Sequence, residues 1–589
     1  MAIQQKKKNV VIVGLGWTGS IVGLELAREG YDVLAIERGH DRNIVPNWSY
    51  PTTADELKYA LRLEEMEKLS NTTVTIRRSL SDTALPYRQL GSFLIGTGVG
   101  GCGAHWNCQT WRAHPEEFHL RSYVEKTFGE QIIPEDMTIQ DWGVSYNELE
   151  PYYDFFEKVA GVAGEAGNIK GHKTGEGNPF EAWRSNTYPM PGGGVTYHGK
   201  LFAQAAKSLG YHPFAFPAAI ATQSYTNPYG MQMGPCNYCG YCERFGCLNY
   251  SKGSPQMCAL AAAKRHKNFQ YITRSEVLRI EKSANGETVS GVTYIDPEGR
   301  EIFQPADMVV LASFQMNNVR LLLHSALGQP YNPQTNEGVI GRNYAYQINV
   351  GSATAFFKDK NFNPFIGTGA NCMALDDFAT NRIDFAKEGF IGGVRIDCNQ
   401  TNGQPNRSLP LPTGTPAWGA GWKQAIGDWY GRNLGLGLHG SCMSYRDAYL
   451  DLDPTYKDKY GRPLMRMTFN WHENDIKLAQ FGSARQEEIV KALNPDSYNL
   501  RRMQDNEPYD ATAYQTTHTV GGAIMGENPQ NSALNRYLQH WDYHNLFVPG
   551  ANAYPQNLEQ NPTGTVGALT YWMVAAIKNN YLKNPRPLV

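Results

Sequence analysis

A chain of 589 residues with 41% hydrophobic content buries a large core and is expected to form two structural domains. Its formal net charge of -2 gives no electrostatic reason to expect nucleic acid, and Lys6-Lys7-Lys8 is too short a run to change that. No apolar run approaches the ~20 residues needed to cross a bilayer.

Residues 10–13 are a β-branched run ended by Gly14; Gly16 and Gly19 follow, then a helical pattern over 20–29 with Gly30 as its stop. A second strand over 32–36 ends at Glu37. Strand, glycine turn, helix, strand and acid in that order predict a dinucleotide-binding unit. Gly14 permits the tight turn, Gly16 lets the backbone approach a pyrophosphate, Gly19 allows helix and strand to pack closely, and the helix N-terminus supplies N–H donors. Glu37 accepts from ribose hydroxyls and repels a 2′-phosphate, so NADP is disfavoured while NAD and FAD both stay open. The apolar run at 10–13 is far too short for a secretory signal, and read alone the N-terminus predicts a cytoplasmic chain.

A second glycine-rich stretch holds Gly96, Gly98, Gly100, Gly101 and Gly103 and ends in His105-Trp106-Asn107. Backbone of this kind can lie flat against a large planar ligand. Residues 123–227 are rich in Pro, Gly and aromatics, with helices predicted over 145–162 and 200–209.

Cys236, Cys239, Cys242 and Cys247 are too close in sequence for ordinary disulfide pairing and resemble the C-x2-C-x2-C-x3-C run of iron–sulfur proteins. Zinc also takes four thiolates, but its structural sites usually set two C-x2-C pairs about a dozen or more residues apart; plain thiols are the third reading. The run departs from the ferredoxin pattern, with four residues between Cys242 and Cys247 and Leu248 in place of proline. Cys102, Cys108, Cys258, Cys372, Cys398 and Cys442 show no framework spacing and read mostly as buried thiols. The chain contains no Cys-x-x-Cys-His, so it attaches no c-type haem of its own.

Strand patterns return over 269–280, 289–295 and 308–312, with a helix over 319–327, as a return to the nucleotide-binding sheet requires. Residues 346–499 are loop-rich, with substrate-side strands expected over 349–357 and 463–470. A strand over 545–548, Gly550 and an apolar helix over 563–577 close the chain. One domain is thus expected to be assembled from three separated pieces, 1–118, 259–345 and 510–589. Segments 119–235 and 346–509 form the substrate side, and 236–258 carries the cysteines. The expected class is α/β, α+β overall.

The glycine fingerprint, the stretch from Gly96 to Asn107 and the block from His518 to Leu569 together resemble the glucose–methanol–choline (GMC) oxidoreductase family, in order and over nearly the whole chain. The resemblance implies a GMC-type FAD-binding Rossmann-like domain and a substrate-binding domain built on an antiparallel sheet. In that family a histidine in a His-x-x-Gly-Gly motif and an asparagine in an Asn-Pro-x-x-Thr motif face the flavin; here these are His518 to Gly522 and Asn561-Pro562-Thr563-Gly564-Thr565. The match implies His518 as base and Asn561 as its polar partner. Such chemistry needs a neutral imidazole to take the hydroxyl proton as hydride leaves carbon, and an amide to donate to the oxygen as it turns anionic. Pro562, Thr563 and Gly550 are implied as cofactor contacts, with Val277 at the adenine end and Asn552 near the flavin chain. His105, beside Trp106 and Asn107, resembles the histidine that pyranose oxidases link to the flavin, so covalent FAD through His105 is an expectation.

Within the family, the cysteine run followed by Lys252-Gly-Ser-Pro255 is similar to the large flavoprotein subunit of membrane-bound sugar-acid dehydrogenases of the gluconate 2-dehydrogenase type. Oxidation of D-gluconate to 2-keto-D-gluconate is the leading expectation; 2-ketogluconate, fructose, sorbitol and glucose are alternatives. The resemblance implies a [3Fe-4S] cluster, with Cys236, Cys242 and Cys247 as the preferred trio. It also implies a small subunit carrying the export signal, a membrane-anchored multihaem cytochrome c subunit and a place on the periplasmic face of the inner membrane. An oxygen-using oxidase of the family and a catalytically idle electron-transfer flavoprotein are competing readings; the cysteines speak against the first, His518 with Asn561 against the second. An acid substrate wants a cation from 346–499, where Arg395, Arg407, Arg432 and Arg446 stand, each reading first as a solvated or structural arginine.

Overall fold

The computed structural model describes residues 2–48, 66–68, 73–87, 93–363, 366–368, 372–398, 409–513 and 516–588; Arg407 lies outside them. The run at 10–13 lies within the strand Lys8–Val13, which pairs in parallel with Val33–Ile36 on one side and Glu301–Leu311 on the other. Central parallel strands are covered on both faces, which is why Val10, Val11, Ile12 and Val13 are all buried. The crossover that a parallel pair requires is the helix Trp17–Arg28, which begins three residues earlier than its pattern suggests.

Phe269–Ile272 extends this sheet in parallel beside Val33–Ile36, and Leu546–Phe547 pairs in parallel with Glu301–Leu311. Glu276–Lys282, Val289–Ile295 and Glu301–Leu311 form an antiparallel meander, completing a mixed eight-stranded sheet with the short Ile3–Gln4. The stretch expected as one strand over 269–280 is broken because Arg274 takes a φ of 53°, which turns the chain out of the extended region.

A six-stranded antiparallel sheet lies on the substrate side, in the order Ser497–Arg501, Ser352–Phe356, Asn433–Gly440, Val394–Cys398, Met373–Phe378, Phe214–Ala215. The helix Glu473–Ala492, which the sequence pattern does not announce, packs on it. Its buried face runs through Ile476, Ala479, Gly482, Ser483, Gln486 and Ile489, a helical period partly filled with small and polar residues, so its apolar signal is weak. A Cβ on Gly482 would come within 2.2 Å of Leu438 Cδ1, so glycine there lets the helix lie close to the strand. Pro463–Thr468 belongs not to this sheet, as expected, but to a separate four-stranded one with Tyr449–Lys457, Val74–Arg77 and Leu85–Tyr87.

Two helices connect the layers. Tyr146–Ala160 starts at a Ser145/Glu148 capping box and is joined to Thr563–Asn579 by the hydrogen bond between the Tyr153 and Thr565 hydroxyls, 2.6 Å. Among the described residues no helix is long and apolar enough to cross a membrane.

Candidate active site

A cavity of ≈ 460 Å³ is lined both by the dinucleotide signature and by the C-terminal motifs. Of the residues singled out from sequence, Gly14, Gly16, Glu37, Gly101, His105, Trp106, Asn107, Val277, Gly550, Pro562, Thr563, His518 and Asn561 all stand in its wall. Glu37 is held at the rim by accepting from Leu15 N at 3.1 Å and Gly39 N at 2.9 Å. The Thr563–Asn579 helix brings its N-terminal residues Pro562, Thr563 and Val566 to the wall, adding N–H donors and the positive end of its dipole. Asn107 Oδ1 is buried there with no hydrogen-bond partner among the described residues, an acceptor that suits a ligand N–H. These features fit an FAD.

Four other expected contacts lie outside the wall. Gly19 serves packing: a Cβ there would sit 2.1 Å from Gly14 O. Gly100 docks the second glycine loop on the first by donating from N to Leu15 O at 2.8 Å, and Gly98 closes a turn within the second loop, its O accepting from Gly101 N at 2.9 Å. Asn552 braces the Gly550 turn instead of facing the cavity, accepting from Asn318 Nδ2 at 2.8 Å and donating to Val548 O at 3.2 Å. Arg38 and Arg320 line the cavity near Glu37 and were not foreseen; burial, then the neighbouring Arg38, lowers Arg320 to about 10, still charged at neutral pH.

The catalytic motifs converge through a short antiparallel pair, Ala345–Tyr346 with Thr519–Val520, which sets Gln347 beside His518. Gln347 Nε2 donates to Leu558 O at 2.7 Å and to Gln560 O at 3.1 Å, so its Oε1 must face the imidazoles. That oxygen lies 2.5 Å from His518 Nδ1 and 3.0 Å from His439 Nδ1. With Nδ1 the donor, His518 presents a bare Nε2, and Asn561 Nδ2 lies 3.2 Å from it. Burial, then the charges of His439 and Arg395, hold His518 well below the ordinary histidine range. Nε2 accepts from Asn561 in this structure, and an unprotonated imidazole nitrogen can take a hydroxyl proton once that hydroxyl becomes its partner.

Behind the pair, Arg395 Nη2 donates to Asn561 Oδ1 at 2.8 Å and stands 3.6 Å from Asp397 Oδ2, which in turn is 3.3 Å from His439 Nε2. Arg395, Asn561, His518, Gln347, His439 and Asp397 thus form a closed polar ring. Arg395 is fully buried, not solvated. The one sequence signal was the charged pair at alternate positions in the otherwise apolar Val394–Cys398; Gln347 and His439 had none.

His114 Nε2, Asp376 and Glu559 form a second buried group whose candidate ligand atoms lie within 4.8 Å of one another. Burial opposes charge on His114, yet Asp376 and Glu559 overcome it and lift the imidazole to about 9. An imidazolium therefore supplies the cation that these carboxylates need.

The loop that carries the four clustered cysteines reaches the cavity: Glu243 and Arg244 line it and Arg244 N donates to His105 O at 2.6 Å. Lys252, buried, donates from Nζ to Trp106 O at 2.7 Å, Cys242 O at 2.7 Å and Phe245 O at 2.8 Å, tying the two loops together. Burial, then the neighbouring Cys242, lifts Cys236 to about 12 and Cys239 to about 11. Cys108, overlooked as a plain buried thiol, is a fifth sulfur there: it feels Lys252, Cys242, Cys247 and Cys236.

Family models described as GMC oxidoreductase match residues 143–349 and 444–570. The chain belongs to the GMC oxidoreductase family and is an FAD-dependent CH–OH oxidoreductase of mixed α/β fold. It is 50% identical to the gluconate 2-dehydrogenase flavoprotein of Pantoea cypripedii, over 100% of this chain and 96% of that one. It is 25% identical to the fructose dehydrogenase large subunit of Gluconobacter japonicus, over 98% and 99% of the two chains. Pyridoxine 4-oxidase from Mesorbium loti shares the fold, with a TM-score of 0.61 and 15% identity over 98% of this chain and 100% of that one.

Proposed function

We propose that this protein oxidises the secondary alcohol of a sugar acid, D-gluconate to 2-keto-D-gluconate being the leading reaction. The observation that carries this reading is the unprotonated Nε2 of His518, hydrogen-bonded to Asn561 Nδ2, in a cavity shared with the dinucleotide signature; the full-length identity to a gluconate 2-dehydrogenase flavoprotein supports the substrate class. A bound FAD supplies the hydride acceptor, held by segments 1–118, 259–345 and 510–589, with Glu37 at the ribose and Val277 at the adenine. His518 Nε2 takes the hydroxyl proton, Asn561 donates to the oxygen as it gains negative charge, and one such donor lowers the barrier by on the order of 3 kcal/mol. His105, buried in the cavity wall, is the proposed point of covalent attachment.

Cys236, Cys239, Cys242 and Cys247 are the proposed ligands of an iron–sulfur cluster, [3Fe-4S] in the family pattern, which supplies one-electron carriage towards a multihaem cytochrome c subunit. A small subunit carrying the export signal, and a complex on the periplasmic face of the inner membrane, complete the proposal.

Dye-linked turnover of purified protein against D-gluconate, 2-ketogluconate, fructose, sorbitol and glucose tests the reaction, with gluconate expected to lead. Stoichiometric peroxide would favour an oxidase, and full turnover by His518→Ala an idle flavoprotein. Iron and acid-labile sulfide analysis with EPR of the oxidised protein tests the cluster; iron-free anaerobic material would overturn it. Release of all yellow colour on denaturation would exclude the His105 bond.

A further inference from the structure

Asn561 has a cation on the side away from His518. Arg395 stands on the central strand Val394–Cys398 opposite His439 of the neighbouring strand, and its guanidinium lies 4.1 Å from the ring centroid of Trp111. Nη2 donates to Asn561 Oδ1 at 2.8 Å and more weakly to Gln109 Oε1 at 3.4 Å, while Nε and Nη1 are buried with no partner among the described residues. A guanidinium only donates, so Asn561 must turn its oxygen to Arg395 and its N–H groups towards His518 Nε2. Gly437 makes room for the neighbouring acid: a Cβ there would sit 2.6 Å from Asp397 Oδ1.

We propose that Arg395 is a positioning residue for the alcohol oxidation: it locks the Asn561 amide and sets a buried positive charge one hydrogen bond behind the substrate oxygen. The inference rests on His518 and Asn561 as the catalytic pair. As the O–H proton goes to His518 Nε2 ahead of the C–H bond breaking, the oxygen gains negative charge; that charge would be discharged into the C=O bond as a bound flavin accepted the hydride. Asn561 Nδ2–H donates to that oxygen more strongly because its own Oδ1 is bonded to a cation, and hydrogen bonds in series polarise one another. The same charge adds to burial and His439 in opposing premature protonation of His518. The groups that face Arg395 are Asp397, Asp376 and Glu559 together with His439 and His518; without the guanidinium, Asp397 would act unopposed on His439, and His518 would lose one of the two charges that add to burial in keeping it unprotonated.

The test is anaerobic rapid-mixing reduction of the FAD-loaded protein by D-gluconate, or by whichever sugar of the five-compound panel reduces the wild type, across the acid and neutral range. Arg395→Gln should lower the limiting reduction rate by about 10- to 100-fold, as loss of a hydrogen bond to a charged group does. Its apparent substrate Kd should change by less than about threefold, and the acid limb of the rate should move to higher pH. Arg395→Lys, which keeps the charge but not the fork, should hold the wild-type acid limb while remaining slower than wild type. An unchanged acid limb in Arg395→Gln, or Arg395→Lys at full rate, overturns the proposal; if Arg395→Gln does not load FAD, the lysine variant decides alone. Full-rate reduction of His518→Ala, or a wild type reduced by none of the five, overturns the catalytic reading itself and this inference with it. A dead His518→Ala beside an unaltered Arg395→Gln removes only Arg395.

Discussion

His518 Nδ1 lies 2.5 Å from Gln347 Oε1, and this contact decides which imidazole nitrogen is left bare for the substrate. Gln347→Leu removes the acceptor shared by His518 and His439 and strands two backbone carbonyls. The flavin reduction rate should fall by about 10- to 100-fold with a smaller change in substrate affinity, because the imidazole loses its tautomer and orientation. Rapid-mixing absorbance at the flavin band measures it; a rate within twofold of wild type would remove Gln347 from the site.

Burial keeps His518 neutral well below the usual histidine range, with His439 and Arg395 adding to the effect. A base must be unprotonated to work, so kcat/KM should stay level through the ordinary histidine region near pH 6.5 and decline only at lower pH. The pH profile of kcat/KM in dye-linked turnover checks this. An acid limb at or above the ordinary value would contradict the depressed affinity for protons.

His114 points the opposite way. Its folded value of about 9, against an ordinary 6.5, means that the folded chain binds the proton more tightly than the unfolded one. That stability is fully present below pH 6.5 and is lost as pH rises through about 9, amounting to about 3 kcal/mol. Thermal midpoints of wild type should decline over that window, and His114→Asn should lose much of the slope; parallel curves for the two proteins would refute the assignment.

Gly19→Ala would place a methyl 2.1 Å from Gly14 O, forcing the first helix away from the first strand. Overpacking of this kind costs about 1–3 kcal/mol. Flavin absorbance per protein should fall together with the thermal midpoint, and retention of both would show that the helix has slack.

Lys252→Met would leave the carbonyls of Trp106, Cys242 and Phe245 without their ammonium donor. The cysteine loop should then part from the flavin-side loop, and iron per flavin should drop while flavin content falls less. Iron and flavin analysis of the same preparation measures both; an unchanged ratio would leave Lys252 with a purely structural role.

Local pattern carried much of this. The glycine spacing, the acid at Glu37, and the segments of the central sheet follow from steric and periodic rules that act within a few residues, and the structure places Gly14, Gly16 and Glu37 in one cavity wall. His518 and Asn561 were legible through the resemblance of their flanking motifs to the family's, and the structure gives one of those motif residues a steric reason: Gly521, with φ at 79°, would push a Cβ to 1.8 Å from Asn343 O. The helix Glu473–Ala492 was not legible, since Gly482, Ser483 and Gln486 on its buried face hide the apolar period.

By itself the chain's sequence determined which residue types bear the chemistry and where the backbone must turn, because spacing and side-chain acidity are properties of short segments. Only the tertiary structure decided that Gln347, Arg395, Asp397 and His439 surround the catalytic pair, and that Cys108 and Lys252 join the cysteine loop to the flavin-side wall. Hydrogen bonds and charges act over a few ångströms in space, and residues brought together from distant strands leave no periodic trace along the chain.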